Sequence, residues 1–211
     1  MHLVGAMAGC RGCPGALAVL ALLLLGAAAE TKGGLKNGSI IEVSNGGPRG
    51  AWAWQEMCAP GTFVTGFSLK VEPYQGSLKD DTAVNGIRLF CTRGGREQRL
   101  ETNPVESQSG PWGRWSEPLW CSSGHYVQGF SLKVEQPRST AQDYMGVTNI
   151  RFACSDGQIL EGDGLRWGQY EEWSPPCGKG LCGIQTKVEP QRGGLKDDSS
   201  VNDVRFPCCA N

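Results

Sequence analysis

One stretch of this chain occurs three times, and it restricts the fold more than any other feature. The copies read GFSLKVEPYQGSLKDDTAVNGIRLFC (66–91), GFSLKVEQPRSTAQDYMGVTNIRFAC (129–154) and GIQTKVEPQRGGLKDDSSVNDVRFPC (183–208). They align without a gap. A repeat of this length with constant internal spacing indicates one supersecondary unit used three times. The architecture therefore depends on how three such units bury their apolar sides together.

The repeated unit has the pattern of two β-strands joined by a turn-rich connection. Apolar and polar residues alternate in FSLKVE (67–72). In IRLFC (87–91), Ile87, Leu89 and Cys91 fall on one side of the predicted strand. The segment between the two, 73–85, is rich in Pro, Gly and Asp, as expected for turns. No stretch after residue 29 keeps a helical period, so the sequence predicts an all-β fold.

Three sheets that are each apolar on one face must cover one another to be stable. We predict a β-prism, in which three sheets surround an axis of pseudo-threefold symmetry. A three-lobed trefoil and a short propeller are the alternatives, although a trefoil usually has shorter units and a propeller has at least about four blades. The prediction is a single β-prism domain over 40–211, built of repeats at about 40–100, 101–156 and 157–211.

The first 29 residues have the pattern of a cleaved secretory signal peptide. An apolar run, LALLLLGAAA, follows Arg11 and ends in three small residues, 27–29. No later stretch approaches the roughly 20 apolar residues of a membrane-spanning helix. We therefore expect a secreted, extracellular chain without a membrane span. A loose arm is predicted at 30–39, where Asn37 opens an Asn-Gly-Ser sequon for glycosylation.

The cysteines indicate a set of disulfides. Two of the ten cysteines, Cys10 and Cys13, lie in the predicted signal peptide. The other eight are an even number, which in a secreted chain indicates that they pair as disulfides. The repeat predicts the partners, because equivalent positions should pair equivalently. The expected pairs are Cys58 with Cys91, Cys121 with Cys154, Cys177 with Cys208 and, from the two that remain, Cys182 with Cys209.

Charge and composition argue against several kinds of partner and cofactor. The formal net charge is −1 at pH 7 with both signs interspersed, so no basic surface for nucleic acid or anionic membranes is indicated. His125 is the one histidine after the leader, which argues against a His-rich zinc site and a Ser-His-Asp triad. No GxGxxG or P-loop pattern occurs. We expect neither a metal nor a cofactor.

Long motifs cover nearly the whole chain after the leader: GGPRGAWAWQEMC (46–58), GFSLKVE (66–72), DDTAVNGIRLFC (80–91), VESQSGPWGRWSEPLWC (105–121) and QTKVEP (185–190). They resemble the vitelline membrane outer layer protein 1 family. The resemblance implies a secreted β-prism of three Greek-key sheets, from the outer layer of the egg's vitelline membrane. It also implies a sugar-related activity, a lysozyme-like transfer among N-acetylglucosamine oligosaccharides. Arg49 departs from the family's pattern, which has Trp there.

Two pairs of neighbouring aspartates are the repeated carboxylates available for acid–base chemistry. They are Asp80 with Asp81 and Asp197 with Asp198. Glycosyl transfer needs two carboxyl groups roughly 5 to 9.5 Å apart, one of them protonated. Neighbours on an exposed turn seldom differ enough in pKa, so we favour a structural role in which they hydrogen-bond their own turns. The second copy has DYMGVT (143–148) at this place, which leaves two acidic loops.

Two further sets of side chains are candidates for binding carbohydrate. Glutamates recur at one strand position of each copy, namely Glu72, Glu135 and Glu189. With the repeated lysines and arginines, we expect them to form ion pairs on a solvated outer face. Tryptophans with indole faces suited to sugars occur in the opening segments, at Trp112, Trp115 and Trp167. For the aligned tryptophans, however, we favour packing near the axis because each indole buries a large area.

Together with the resemblance, these features predict a secreted structural or carbohydrate- or glycoprotein-binding component of an extracellular layer, such as the outer vitelline membrane of the egg. Its partners are expected to be glycans or glycoproteins, held by several weak contacts from repeated loops. Two alternatives stay open. One is an enzyme that transfers glycosyl groups among N-acetylglucosamine oligosaccharides. The other is a soluble lectin-like defence protein of mucosal or tear-like fluid.

Overall fold

The computed structural model describes residues 38–73, 83–93, 104–135, 146–189 and 201–210, which belong to one compact unit, Asn37–Asn211. In chain order the strands are β1 (Ile40–Ile41), β2 (Ala51–Trp52), β3 (Glu56–Met57), β4 (Phe63–Val71), β5 (Val84–Thr92), β6 (Pro104–Glu106), β7 (Arg114–Trp115), β8 (Leu119–Trp120), β9 (Val127–Val134), β10 (Val147–Cys154), β11 (Ile159–Glu161), β12 (Gln169–Tyr170), β13 (Gly183–Val188) and β14 (Val201–Pro207). The all-β prediction is confirmed. Among the described residues, none forms a helix with the length and apolar character to cross a membrane.

The three sequence copies form three antiparallel hairpins, and short strands widen each hairpin into a sheet. Sheet I has the order β6-β5-β4-β7, with β8 also beside β4, and sheet II has the order β11-β10-β9-β12. Sheet III has the order β1-β14-β13-β2, with β3 also beside β13. In sheets I and II, three consecutive strands are followed by a fourth that returns beside the first, which is the Greek-key order. The predicted β-prism of three Greek-key sheets is confirmed.

A sheet is not the same unit as a sequence repeat. The segment that opens the second repeat supplies β6, β7 and β8 to sheet I, and the segment that opens the third supplies β11 and β12 to sheet II. The opening segment of the first repeat supplies β1, β2 and β3 to sheet III. Each sheet therefore joins one repeat's hairpin to the next repeat's opening segment, and in sheet III the third hairpin is joined to the opening segment of the first repeat.

The apolar faces of the hairpins meet in a core centred on phenylalanine. Four phenylalanine rings have no exposed surface, namely Phe67, Phe130, Phe152 and Phe206. The ring centres of Phe67 and Phe152 are 4.7 Å apart, and those of Phe130 and Phe206 are 4.6 Å apart, both with edge-to-face geometry. Such pairs are favourable beyond the area they bury.

The prediction that the aligned tryptophans pack near the axis is wrong. All seven tryptophans of the chain lie outside this buried core, and each is half-buried or exposed. The physical reason is that phenyl and aliphatic side chains already fill the axis, and they contain no polar atom. An indole N–H placed there would need a hydrogen-bond acceptor.

Disulfides join the sheets to one another. The four pairs are Cys58–Cys91, Cys121–Cys154, Cys177–Cys208 and Cys182–Cys209, which are the pairs expected from the repeat. Cys58 follows β3 of sheet III, and its partner Cys91 lies in β5 of sheet I. By the same placement, the second pair links sheet I to sheet II and the third links sheet II to sheet III. Three disulfides thus connect the sheets all the way round the prism.

Candidate functional site

The outer face of each sheet carries a cluster of an arginine, an aromatic ring, a lysine and a glutamate. In sheet I, the Arg88 guanidinium lies 3.9 Å from the centre of the Trp115 ring, and its Nε donates to Glu106 Oε1 at 2.6 Å. Lys70 Nζ donates to the Gly110 carbonyl oxygen at 2.9 Å. These contacts hold the opening segment of the second repeat on the sheet. One face of Trp115 is therefore occupied by the protein itself.

Sheets II and III repeat the cluster with substitutions. In sheet II the Arg151 guanidinium lies 4.4 Å from the Tyr170 ring, whose hydroxyl donates to Glu161 Oε1 at 3.1 Å. Burial raises the pKa of Tyr170, and the negative charge of Glu161 adds to the shift. In sheet III, the Arg205 guanidinium lies 4.3 Å from the centre of the Trp52 ring, and its Nη1 donates to Glu42 Oε1 at 3.0 Å.

The ion pairs described for these arginines involve edge-strand glutamates. Glu106 closes β6, and Glu42 directly follows β1. The sequence pattern had pointed to the glutamates of the long strands instead. The edge strands are only two or three residues long, so alternation within them carries no signal.

The predicted binding residues are spread over all three sheets. Glu72, Glu135 and Glu189 are half-buried directly after β4, β9 and β13. Trp112 is 49% exposed, and Trp167 is half-buried. The predicted catalytic candidates and the predicted glycosylation site lie outside the described residues and stay predictions: Asp80, Asp81, Asp197, Asp198 and Asn37. Within the described ranges, no three His, Cys, Asp or Glu side chains come together as metal ligands.

A groove of about 400 Å³ lies at the corner between sheets II and III. One wall is the segment after β1, and the other is the segment after β12. The lining residues are Glu42, Val43, Ser44, Asn45, Glu171, Glu172, Trp173, Ser174 and Pro175. The Trp173 side chain is 38% exposed, and the Arg151 guanidinium lies 4.7 Å from its ring centre. The volume is within the range of small-molecule sites, about 300–1,000 Å³.

The groove lies where the chain is longer than at the equivalent corner of sheet I. Gly47 lies five residues after Glu42, whereas Gly110 lies only four residues after Glu106. The two glycines are equivalent, since each carbonyl accepts a hydrogen bond from the lysine of its sheet. At the shorter corner, Ser107 Oγ donates to the backbone carbonyl oxygen of Trp54, in the segment after β2, at 2.6 Å, so that the two segments are joined directly.

Asn45 anchors the wall of the groove to sheet II. Its Nδ2 donates to the Leu132 carbonyl oxygen at 2.9 Å, and only 6% of the residue is exposed. Its Oδ1 is buried and has no hydrogen-bond partner in the described part of the chain. Buried polar atoms are usually paired, so this unpaired acceptor is an exception among the residues of the groove wall.

A carboxyl group with a perturbed pKa lies behind the same segment. Burial raises the pKa of Asp203, in β14, to about 6, although hydrogen bonding and nearby cations act against the shift. Gly46 packs directly on this carboxyl group, and a Cβ at that position would overlap it. The equivalent residues, Gly86 and Asn149, are neutral. Asp203 does not line the groove.

Asp203→Asn is expected to stabilise the protein at about pH 7.5 by about 1–2 kcal/mol. A pKa raised from 3.8 to about 6 means that the folded state holds the proton more tightly than the unfolded chain. The free energy of unfolding therefore falls as the pH rises from about 4 to 6. Asn does not ionise and so avoids this loss. Because the carboxyl group is partly exposed, the gain is smaller than the full pKa shift would give. Urea unfolding of both proteins at about pH 4 and pH 7.5 measures the effect. An equal gain at both pH values would contradict the assignment.

The sequence is similar to a defined family over most of its length. A family model described as Vitelline membrane outer layer protein I (VOMI) matches residues 39–211. A mouse (Mus musculus) protein called Vitelline membrane outer layer protein 1 homolog is 57% identical over 173 residues, which cover 82% of this chain and 84% of the relative. The human (Homo sapiens) homolog of the same name is 53% identical over 204 residues, covering 94% and 98%.

Solved structures of lectins share the fold at low sequence identity. Calsepa lectin, solved in complex with bisected glycan, superposes with a TM-score of 0.51 at 12% identity and covers 82% of this chain and 98% of its own. Frutapin, a lectin from Artocarpus incisa, has a TM-score of 0.50 at 14% identity, with coverage of 81% and 96%. At such identities the likeness concerns the three-sheet β-prism alone.

Proposed function

The chain belongs to the vitelline membrane outer layer protein I family, and from this premise we propose that it is a secreted carbohydrate- or glycoprotein-binding component of an extracellular layer, such as the outer vitelline membrane of the egg. The observation that carries the proposal is the groove between sheets II and III, with Trp173 partly exposed in its wall. The shared fold with lectins supports a binding role by analogy.

The groove has the side chains that a neutral sugar needs. The indole of Trp173 offers a flat apolar surface for the C–H face of a pyranose ring. Glu171 and Glu172 offer carboxylate oxygens, and Ser44 offers a hydroxyl, to the sugar's hydroxyl groups. Because these groups lie on backbone held by the sheets, the site is largely preformed. Binding there would cost little ordering of the protein.

The disulfides support an extracellular setting. Three of them connect the sheets around the prism, and disulfides persist in oxidising compartments rather than in the cytosol. The predicted leader over residues 1–29 agrees with this setting. Several such rigid molecules in one layer would bind neighbouring glycans through weak contacts that add by effective concentration.

Trp173→Ala is expected to weaken glycan binding by about tenfold, because the variant loses the stacking surface. The measurement is isothermal titration of the purified mature protein with neutral oligosaccharides, including those of N-acetylglucosamine. The lengths of the oligosaccharides recovered after the titration report any glycosyl transfer. Trp54→Ala is the matched control, since Trp54 is also exposed but does not line the groove. Loss of binding only in the Trp54 variant would place the site elsewhere, and a wild-type protein that binds no glycan would refute the proposed function.

A further inference from the structure

We infer that the groove between sheets II and III prefers saccharides that carry a protonated amine, such as oligomers of glucosamine. This inference rests on the proposed glycan-binding function and specifies the ligand class of the same groove. It is carried by three features of the lining residues: the sign of their charges, the kind of hydrogen-bonding groups left unpaired, and the surroundings of the exposed tryptophan.

The charges of the lining residues are all negative. The lining includes three glutamates and no lysine or arginine. Glu42 is neutralised by Arg205, whose Nη1 lies 3.0 Å from its carboxylate. Glu171 and Glu172 are exposed, and in the described part of the chain no cation or hydrogen-bond donor contacts either carboxylate. A cationic group entering the groove therefore meets two carboxylates that have no ion-pair partner among the described residues.

The unpaired polar groups that the groove offers are mostly acceptors. The carboxylates of Glu171 and Glu172 only accept hydrogen bonds. Asn45 already uses its Nδ2 on the Leu132 carbonyl, which leaves its buried Oδ1 as the unpaired group. An ammonium group has three N–H donors and no acceptor, whereas an acetamido group brings one donor and an acceptor. The hydrogen-bonding pattern thus agrees with the charge.

The surroundings of Trp173 favour a sugar over a basic peptide. The Arg151 guanidinium lies 4.7 Å from the ring centre, so one cation already contacts the aromatic system. A lysine or arginine side chain that approached the same ring would be repelled by Arg151. A pyranose ring presents a neutral C–H surface to the indole and carries its amine at the edge, where it reaches the carboxylates.

The test is calorimetric titration at about pH 6 with four-unit oligomers of glucosamine and of N-acetylglucosamine. A sugar amine is protonated there, as an α-amino group with pKa near 7.7–8.0 would be, and it is mostly neutral at about pH 9. We expect the glucosamine oligomer to bind about tenfold more tightly at the lower pH and to lose this advantage at the higher one.

Glu171→Gln combined with Glu172→Gln should abolish the preference, so that the variant binds the two oligomers with equal affinity at about pH 6. Glu117→Gln is the matched control, because Glu117 occupies the position of Glu172 on sheet I and does not line the groove. It should change neither affinity. Circular dichroism of each variant verifies the fold.

The outcomes separate this inference from the proposed function. Equal affinity for the two oligomers, or a preference that survives the double variant, would overturn the amine preference while glycan binding stands. A tetralysine peptide that binds as tightly as the glucosamine oligomer would overturn the assignment to a saccharide. Absence of binding to either oligomer and to other neutral glycans would refute the proposed function itself.

Discussion

Replacing Phe152 with alanine is expected to lower the free energy of unfolding by about 3–5 kcal/mol. Phe152 has no exposed surface, and its ring centre lies 4.7 Å from that of Phe67, 5.3 Å from that of Phe206 and 6.5 Å from that of Phe130. The substitution leaves a cavity that all three sheets line, and the disulfides between the sheets hinder its collapse. Denaturant unfolding of the oxidised protein measures the loss.

Phe90→Ala is the matched control for this prediction. The change in chemistry is the same, but Phe90 is half-buried and lies outside the axial cluster, with its ring centre 5.0 Å from that of Trp120. We expect a cost of only about 1–2 kcal/mol there, in proportion to the smaller area that the side chain buries. If both variants lost the same stability, the phenylalanine cluster would not be the centre of the core.

Gly113→Ala is expected to cost about 2–5 kcal/mol. Gly113 has φ +86°, a conformation that residues with a Cβ adopt at a cost. A Cβ at this position would also overlap the backbone of Val71 in β4. The turn brings β7 against sheet I, so relief of the overlap requires the two strands to separate. Thermal and denaturant unfolding measure the loss.

Gly124→Ala distinguishes overlap from backbone strain. Gly124 has φ +84°, but no atom lies within 4 Å of the position its Cβ would take. We expect only the conformational cost there, about 1–2 kcal/mol. A loss at Gly124 as large as that at Gly113 would show that strain alone determines both effects, and that the close approach of β7 to β4 has no energetic importance.

The regular part of this fold was predictable because the copies agree with one another. Alternation in 67–72 and 87–91 assigned Phe67, Leu69, Ile87 and Leu89 to one apolar face, and all four side chains are fully buried. Only a few architectures allow three equal apolar faces to cover one another. Equivalence of the cysteine positions gave the disulfide partners for the same reason.

The partnership between sheets and opening segments was not predictable in the same way. β2, β7 and β12 are two residues long, and so short a strand has no periodicity from which to infer its partner. The tryptophans were expected in the core because they recur. Recurrence, however, shows only that a residue has the same role three times, and Trp115 and Trp52 have that role beneath arginines on the outer face.

The candidate site lies where the copies differ. Trp173 occupies the position of Pro118 on sheet I and of Gln55 on sheet III, and the segment 42–47 is one residue longer than its counterpart on sheet I. A comparison restricted to what the copies share passes over such positions. A search for large aromatic or charged residues that occur in one copy alone would have selected Trp173.

The pairing of the first three strands with the last two in sheet III has a consequence for synthesis and for genetics. Strands β1 to β3 are made first, yet the hairpin they join is made last. At about 5–20 residues per second, they remain without a partner for on the order of ten seconds. A premature stop that removed only β13 and β14 would therefore leave the earliest strands of the protein without a sheet. Loss of the last two strands thus removes the partners of the first three.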